Sequence, residues 1–169
     1  MSLNYELQPI RAIPAGIAGA LVGGTLSSFI GIALRVMDFG GISSDEWALL
    51  RIQALPIVII FSLAFLVGEI FLGVPGWIVL HRAGRRQWFD AMALGTFLAA
   101  IVYFTLSYLP LVFHSPGSDY SSEDGGVPTV EHWKLTAQGW KFLIEGVLTQ
   151  SIAGGFAGLA VWRIAYRRK

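Results

Sequence analysis

Cysteine is absent from this chain of 169 residues, which excludes disulfides, thiolate metal sites and a cysteine nucleophile. Charge is scarce as well: 14% of the residues are charged, against about 25% in an average soluble domain. Apolar residues make up 54% of the chain and the net charge is only +1, so the basic excess of a nucleic-acid-binding protein is missing. These features exclude an ordinary water-soluble domain and a nucleic-acid partner, and they predict an integral membrane protein.

The motifs of common enzymes are missing too. The sequence contains no G-x-S-x-G, H-E-x-x-H or G-x-x-x-x-G-K-[ST] pattern, which are signatures of hydrolases, zinc proteases and P-loop proteins. The predicted topology places His81 and His114 at opposite faces of the membrane, so the two histidines cannot bind the same haem. A metal site formed by His114 and His132 with Asp119 or Glu131 is less favoured than solvated side chains. No catalytic residue, metal or cofactor is predicted, and bound lipids are the expected partners of the chain.

Four hydrophobic segments are long enough to cross a bilayer, which takes about 20 mostly apolar residues in a helix. They cover residues 14–37, 55–80, 89–113 and 142–162. Helix is the expected conformation of each, since lipid offers no partner to unpaired backbone groups. The sequence therefore predicts one all-α membrane domain, residues 1–169, in which four transmembrane helices form an up-down bundle.

Lysine and arginine are distributed unevenly between the two sides of this topology. Eight lie in the N-terminal tail, the second loop and the C-terminal tail: Arg11, Arg82, Arg85, Arg86, Arg163, Arg167, Arg168 and Lys169. Four lie in the first and third loops: Arg35, Arg51, Lys134 and Lys141. Because basic loops stay in the cytoplasm, we expect both termini to be cytoplasmic. The more basic side is called the inner side below, and the opposite side the outer side.

The first outer loop carries a helix signal. Ser43 and Glu46 have the spacing of a capping box, and Trp47 follows. We expect a short helix at the outer interface before the second span, either as an ordinary helix start or, less favoured, as a lid or docking element.

The third loop, residues 114–141, is long. Turn-forming residues fill positions 115–128, and Val130, Trp133 and Ala137 then have helical spacing, so we expect an irregular stretch followed by a helix from about residue 129. Loops of this length are uncommon unless they are functional or mobile. The tryptophans of the two outer loops are therefore a candidate surface for an outer partner: Trp47, Trp133 and Trp140. A solvated spacer is the favoured interpretation of the third loop.

Glu69 lies near the middle of the second span, where a charged carboxylate costs a few kcal/mol. Counting from the span midpoints places Thr25, Ser27, Ser28 and Gln150 at a comparable depth. These residues predict a proton or cation site. The alternative is a protonated carboxyl group that only joins two helices by a hydrogen bond.

Pro75 follows Glu69 by six residues and removes one backbone hydrogen bond, so we expect a helix kink there. A broken helix beside a carboxylate is typical of transporter ion sites, although proline also occurs in inert membrane helices.

Small residues line the first and fourth spans and predict a helix-packing interface that includes Gly16, Gly19, Gly23, Gly24, Gly154 and Gly158. Such faces let helix backbones approach closely. We expect the first span to pack against the fourth within one chain. Because the first span carries two small-residue stripes, one of them is predicted to remain available to a second subunit.

Two pairs of opposite charge have the four-residue spacing of helical ion pairs: Lys141 with Glu145, and Arg86 with Asp90. Each is predicted to be a local pair at the end of a span.

Residues 73–95 contain a Gly/Pro-rich helix end, an Arg-rich turn and the aromatic pair Trp88 and Phe89. This segment resembles a turn common in small four-span bacterial inner-membrane proteins. The resemblance implies a bacterial cytoplasmic membrane and no particular activity. Small multidrug exporters also have four spans and a membrane glutamate, but theirs lies in the first helix. The first span here has no carboxylate before Asp38, which argues against that family.

Three functions remain open. The favoured one is an accessory or scaffolding subunit that works by helix–helix association within a larger membrane complex. The expected protein partners are other membrane protein subunits or a second copy of this chain. The alternative is an oligomeric small transporter or proton-coupled channel component centred on Glu69. An enzyme or electron carrier that uses the outer loop and lipid-like substrates is the least favoured.

Overall fold

The computed structural model describes residues 5–7, 11–38, 44–113, 119–124 and 126–168. Helices form most of this part: α1 (Ala12–Asp38), α2 (Ser44–Gly68), α3 (Val74–Arg82), α4 (Trp88–Val112) and α5 (Ala137–Ala165). A π-helical turn, Glu69–Gly73, joins α2 directly to α3. The strands are short: β1 (Tyr5–Leu7), β2 (Ser122–Asp124), β3 (Val127–Glu131), β4 (Lys134–Leu135) and β5 (Tyr166–Arg168).

The four predicted spans are confirmed as helices long and apolar enough to cross a membrane: Ala12–Leu34, Ala54–Arg82, Trp88–Val112 and Ala137–Ala165. The last begins five residues before its predicted start. Thr136 causes this early start because its side chain accepts a hydrogen bond of 3.1 Å from the backbone N–H of Gly139, which caps the helix.

The helices pack in the spatial order α2–α1–α5–α4. The π turn and α3 extend beyond α1 to reach α4, where Gly76 faces the side chain of Leu94. Large apolar side chains remain exposed on the faces of the helices that point away from the other helices. Ile60 of α2 is 64% exposed and Leu106 of α4 is 70% exposed. This surface is the one that lipid would cover.

The first outer loop differs from its prediction. Helix α2 runs without interruption from Ser44 through Pro56 into the span, so the prediction of a separate interfacial helix is wrong. Pro56 removes one backbone hydrogen bond without ending the helix. Ser43, the first residue of the predicted capping box, lies outside the described residues.

The third loop also differs. Strands β2, β3 and β4 form an antiparallel sheet in that order, so the predictions of an irregular stretch and of a helix from residue 129 are both wrong for these strands. Gly126, at φ +79°, allows the chain to turn between β2 and β3, and β3 packs its buried Val130 inward. We call residues 119–136 the outer cap. It rests on α5, because β3 packs against that helix and a Cβ added to Gly139 of α5 would collide with the carbonyl of Thr129.

Strands β1 and β5 pair antiparallel, with Tyr5 opposite Arg168 and Leu7 opposite Tyr166. This pairing brings the segment before α1 beside the segment after α5, as an even number of spans requires. Which side of a membrane they occupy stays a prediction.

Candidate functional site

Glu69 begins the π turn, and its carboxyl group lies against α1. A Cβ added to Gly16 would stand 3.6 Å from Oε2, and one added to Gly19 would collide with Oε1 and with Val161 of α5. Both carboxyl oxygens are buried, and neither has a hydrogen-bond partner among the described residues. The space that holds Oε1 therefore exists because α1 has glycine at position 19, whereas a Cβ at position 16 would make an ordinary van der Waals contact with Oε2.

The π turn has a local cause in the sequence. Pro75 has no backbone N–H and its ring would collide with the carbonyl of Phe71 in a regular α-helix. Instead, the N–H of Val74 bonds to the carbonyl of Glu69, five residues back. The structure thus has a π turn at the place where the sequence predicts a kink, and such turns are frequent at functional sites.

The other polar residues predicted beside Glu69 are engaged elsewhere. The side-chain amide of Gln150 donates to the hydroxyl of Ser27 at 2.6 Å in a buried contact between α5 and α1. Ser28 donates to the carbonyl of Gly24 at 2.8 Å. Thr25, half-buried, lies six residues beyond Gly19.

Equal depth, counted from the span midpoints, therefore does not mean that Thr25, Ser28 and Gln150 lie beside Glu69 in the structure. The helices are staggered along one another: α5 approaches the Glu69 region at Ala157 and Val161, which lie two to three turns from Gln150.

The six predicted packing glycines all lie in contacts between helices of this chain. On α1, Gly16 and Gly19 face Glu69, Gly23 faces the ring of Phe65, and Gly24 faces the backbone of Ser62. These contacts use both small-residue stripes of α1 against α2 and the π turn, so the predicted free stripe is not seen. Gly31, at the end of one stripe, has nothing within 4 Å.

On α5 the glycines face a different helix from the one predicted. Gly154 lies against the backbone of Gly95, and Gly158 lies against the backbone of Ala91, both in α4. Helix α1 does pack against α5, as expected, but through contacts such as Gln150 with Ser27. The pattern of small residues identifies a packing face without identifying the helix it meets.

An aromatic cluster, Trp77, His81, Trp162 and Tyr166, lies at the inner ends of α3 and α5. Nδ1 of His81 and the hydroxyl of Tyr166 are 2.9 Å apart. The edge of Trp77 meets Tyr166 at 5.5 Å between ring centroids, and the Trp162 indole donates to the carbonyl of Arg86 at 3.1 Å. Burial raises the pKa of the Tyr166 hydroxyl above its ordinary value, which a hydrogen bond with Trp77 and the charge of Arg86 partly offset.

Sequence reasoning missed this cluster. Its members come from segments more than 80 residues apart, so only the tertiary structure brings them together. One signal was present: Glu69, Gly73, Trp77 and His81 recur every four residues.

The predicted outer partner surface is divided in the structure. The rings of Trp133 and Tyr120 of the outer cap lie tilted to each other at 5.0 Å between centroids, and those of Trp140 and Tyr108 of α4 at 5.7 Å. The side chain of Trp47 lies outside the described residues.

His132, at the tip of the cap, is 3.0 Å from the carboxylate of Asp119. His114, the second histidine of the metal site considered from the sequence, lies outside the described residues. Among the described side chains, no three His, Asp or Glu residues are placed to hold a metal ion.

Of the two predicted ion pairs, the structure confirms one and contradicts the other. Lys141 and Glu145 lie 3.6 Å apart, which confirms that pair. Asp90 pairs with Arg85 at 3.4 Å instead of Arg86, so the second prediction is wrong. Asp90 also accepts the N–H of Gln87 at 3.3 Å; this capping role turns its carboxylate towards the loop.

The fold defines a protein with four helices able to cross a membrane and a carboxyl group buried among them. Comparisons with protein-family models, curated proteins and solved structures found no match to this chain. The function therefore has to follow from the chemistry of the site.

Proposed function

We propose that the protein is a small transporter or proton-coupled channel component in which Glu69 binds and releases a proton or a small cation. The observation that carries the proposal is the burial of both Glu69 oxygens without a hydrogen-bond partner among the described residues. A charged group in this position is costly, and ionisable residues inside membrane spans mark ion or proton pathways by default.

The surroundings of Glu69 suit reversible binding. A buried carboxyl group with no donor nearby is neutralised either by a proton or by a cation. The π turn beside it departs from α-helical hydrogen bonding, as the discontinuous helices of transporters do where they hold ions. Gly16 and Gly19 leave space at the carboxyl group, whereas Thr25, Ser28 and Gln150 lie elsewhere and have no assigned role in this proposal.

The test is proton flux in vesicles that contain the purified protein, driven by a pH difference. Glu69→Gln keeps the size of the side chain and removes its ability to ionise, so we expect flux to fall to that of protein-free vesicles. Glu145→Gln is the matched control, because Glu145 is a carboxylate of a span that pairs with Lys141 at the outer end. This control should retain wild-type flux.

Equal flux in Glu69→Gln and wild type, with proton and with sodium gradients alike, would overturn the transport proposal.

A second candidate, the accessory or scaffolding subunit, is favoured by the tip of the outer cap. His132 and Trp133 have φ angles of +48° and +63°, a region where bulky residues are strained by about 1–3 kcal/mol each. Asn-Gly would close such a turn without strain. Strain kept at an exposed tip is expected where those side chains bind a partner.

Native mass spectrometry of the protein extracted gently from its own membrane tests this candidate. A fixed stoichiometry with other proteins, lost when His132→Asn and Trp133→Gly are combined, would support it. A lone chain or a homo-oligomer would contradict it. The proposed location is the bacterial cytoplasmic membrane, with the basic inner side in the cytoplasm.

A further inference from the structure

The π turn changes which side chains share the face of Glu69. In a regular α-helix each residue advances by about 100°, so His81, twelve residues on, would lie about 120° away from Glu69. A π turn accommodates one additional residue, which brings His81 to within about 20° of Glu69 by the same arithmetic. Trp77 also falls within about 20°. The π turn thus aligns Glu69, Trp77 and His81 along one face.

The contacts agree with this alignment. Glu69 faces Gly16 and Gly19 of α1, and Val161 of α5 also lies beside Gly19. Further inward, Trp77 and His81 meet Tyr166, which directly follows α5. Ala15, fully buried, packs in the same cluster as Tyr166. At the inner end the face therefore packs against residues that belong to α1 and α5 or directly follow α5.

The interface is closed on one side of Glu69 and more open on the other. Outward, a Cβ on Gly23 would collide with the ring of Phe65, and one on Gly24 with the backbone of Ser62. Inward, a Cβ on Gly73 would meet nothing nearer than Glu69 itself, at 3.6 Å. The easier route from the carboxyl group thus leads past Gly73 towards Tyr166.

We propose that this face is a one-sided proton path, which connects Glu69 to the inner side and ends at the hydrogen-bonded pair Tyr166 and His81. The proposal rests on the proposed role of Glu69 and specifies the proton as the species bound. The carboxyl group releases its proton and becomes a carboxylate. Water in the space beside Gly73 passes a proton to the Tyr166 oxygen, the original hydroxyl proton moves to Nδ1 of His81, and His81 releases a proton from Nε2 to the solution.

The described charged side chains at the inner ends of the helices are mostly basic: Arg11 before α1, Arg82 at the end of α3, Arg85 and Arg86 in the turn after it, Asp90 of α4 and Arg163 of α5. Asp90 is engaged by Arg85. A metal cation entering here would meet a surplus of positive charge. A proton, in contrast, is passed along hydrogen bonds, and Tyr166 and His81 end the transfer with the charge they started with, while the negative charge stays on Glu69.

The carbonyl stretching band of the protonated Glu69 carboxyl group tests the path. Glu69→Gln identifies the band, and its shift in heavy water measures how fast the proton exchanges. Tyr166→Phe keeps the ring and removes the hydroxyl, and Gly73→Leu fills the space beside Glu69; both should slow the exchange. Gly68→Leu is the matched control, since a Cβ at Gly68 meets nothing within 4 Å, and it should exchange at the wild-type rate.

Two failures are distinguishable. Exchange as fast as wild type in both Tyr166→Phe and Gly73→Leu would overturn the inner path and leave the role of Glu69 intact. A spectrum without any band that depends on Glu69 would show that the carboxyl group holds no proton, and would overturn the path together with proton binding at Glu69.

Discussion

Among single residues, glycine determines how closely α4 and α5 approach. A Cβ on Gly95 would collide with the carbonyl of Gly154, and one on Gly154 would collide with the carbonyl of Gly95. A backbone carbonyl cannot rotate away as a side chain can, so both helices would have to separate. We expect Gly95→Ala to lower the free energy of unfolding by about 1–3 kcal/mol, measured by helix content during detergent denaturation in mixed micelles.

Gly31→Ala provides the control, because Gly31 lies within α1 with nothing within 4 Å. Alanine is the better helix former by about 0.5–1 kcal/mol, so this variant should be as stable as the wild type or more stable. A loss at residue 31 equal to that at residue 95 would contradict the role assigned to close approach.

The buried glutamate shows how far a single residue can be read from the sequence. A carboxyl group in the middle of an apolar segment is evident from composition, and Pro75 indicates a disturbed helix beside it. The residues that cover the carboxyl group were not evident. Gly16 and Gly19 contribute by having no side chain, whereas a search for polar partners at equal depth selected Thr25, Ser28 and Gln150.

At the scale of secondary-structure elements, the π turn sets the rotation of α3. Deleting Leu72 together with Pro75→Ala should convert the turn to α-helix and keep Trp77 and His81 facing Tyr166, because the additional residue and the proline are both removed. Inserting one alanine after Leu72 in the wild type should rotate α3 by about 100° and separate His81 from Tyr166.

Cysteine cross-linking measures this rotation, since the chain has no native cysteine. The rings of His81 and Tyr166 are 6.1 Å apart, so the combination of His81→Cys and Tyr166→Cys should be joined by a short bifunctional thiol reagent in the original chain and in the deletion. It should fail in the insertion. Equal cross-linking in the deletion and the insertion would show that the π turn does not set the rotation.

The outer cap shows why the sequence misled at this scale. Val130, Trp133 and Ala137 have helical spacing, but the first two lie in β3 and in the turn before β4. Backbone pairing with β2 and β4 decides the conformation, and such pairing depends on segments that periodicity within one window does not compare.

For the whole molecule, the distribution of arginine predicts which side faces the cytoplasm. Ala83→Cys, in the exposed turn after α3, should react with a membrane-impermeant maleimide only after cells are opened. Glu123→Cys, exposed in the outer cap, should react in intact cells. The reverse labelling pattern would show that the termini lie outside.

The sequence alone determined that the chain has four apolar helices and a carboxyl group within one of them, because helix formation and burial in lipid depend on local composition over about 20 residues. It also determined the local ion pair of Lys141 with Glu145. The tertiary structure decided which helix meets which, how the helices are staggered, and that His81 meets Tyr166 across 85 residues. These properties depend on the fit between distant surfaces, where one glycine or one additional residue in a turn selects the partner.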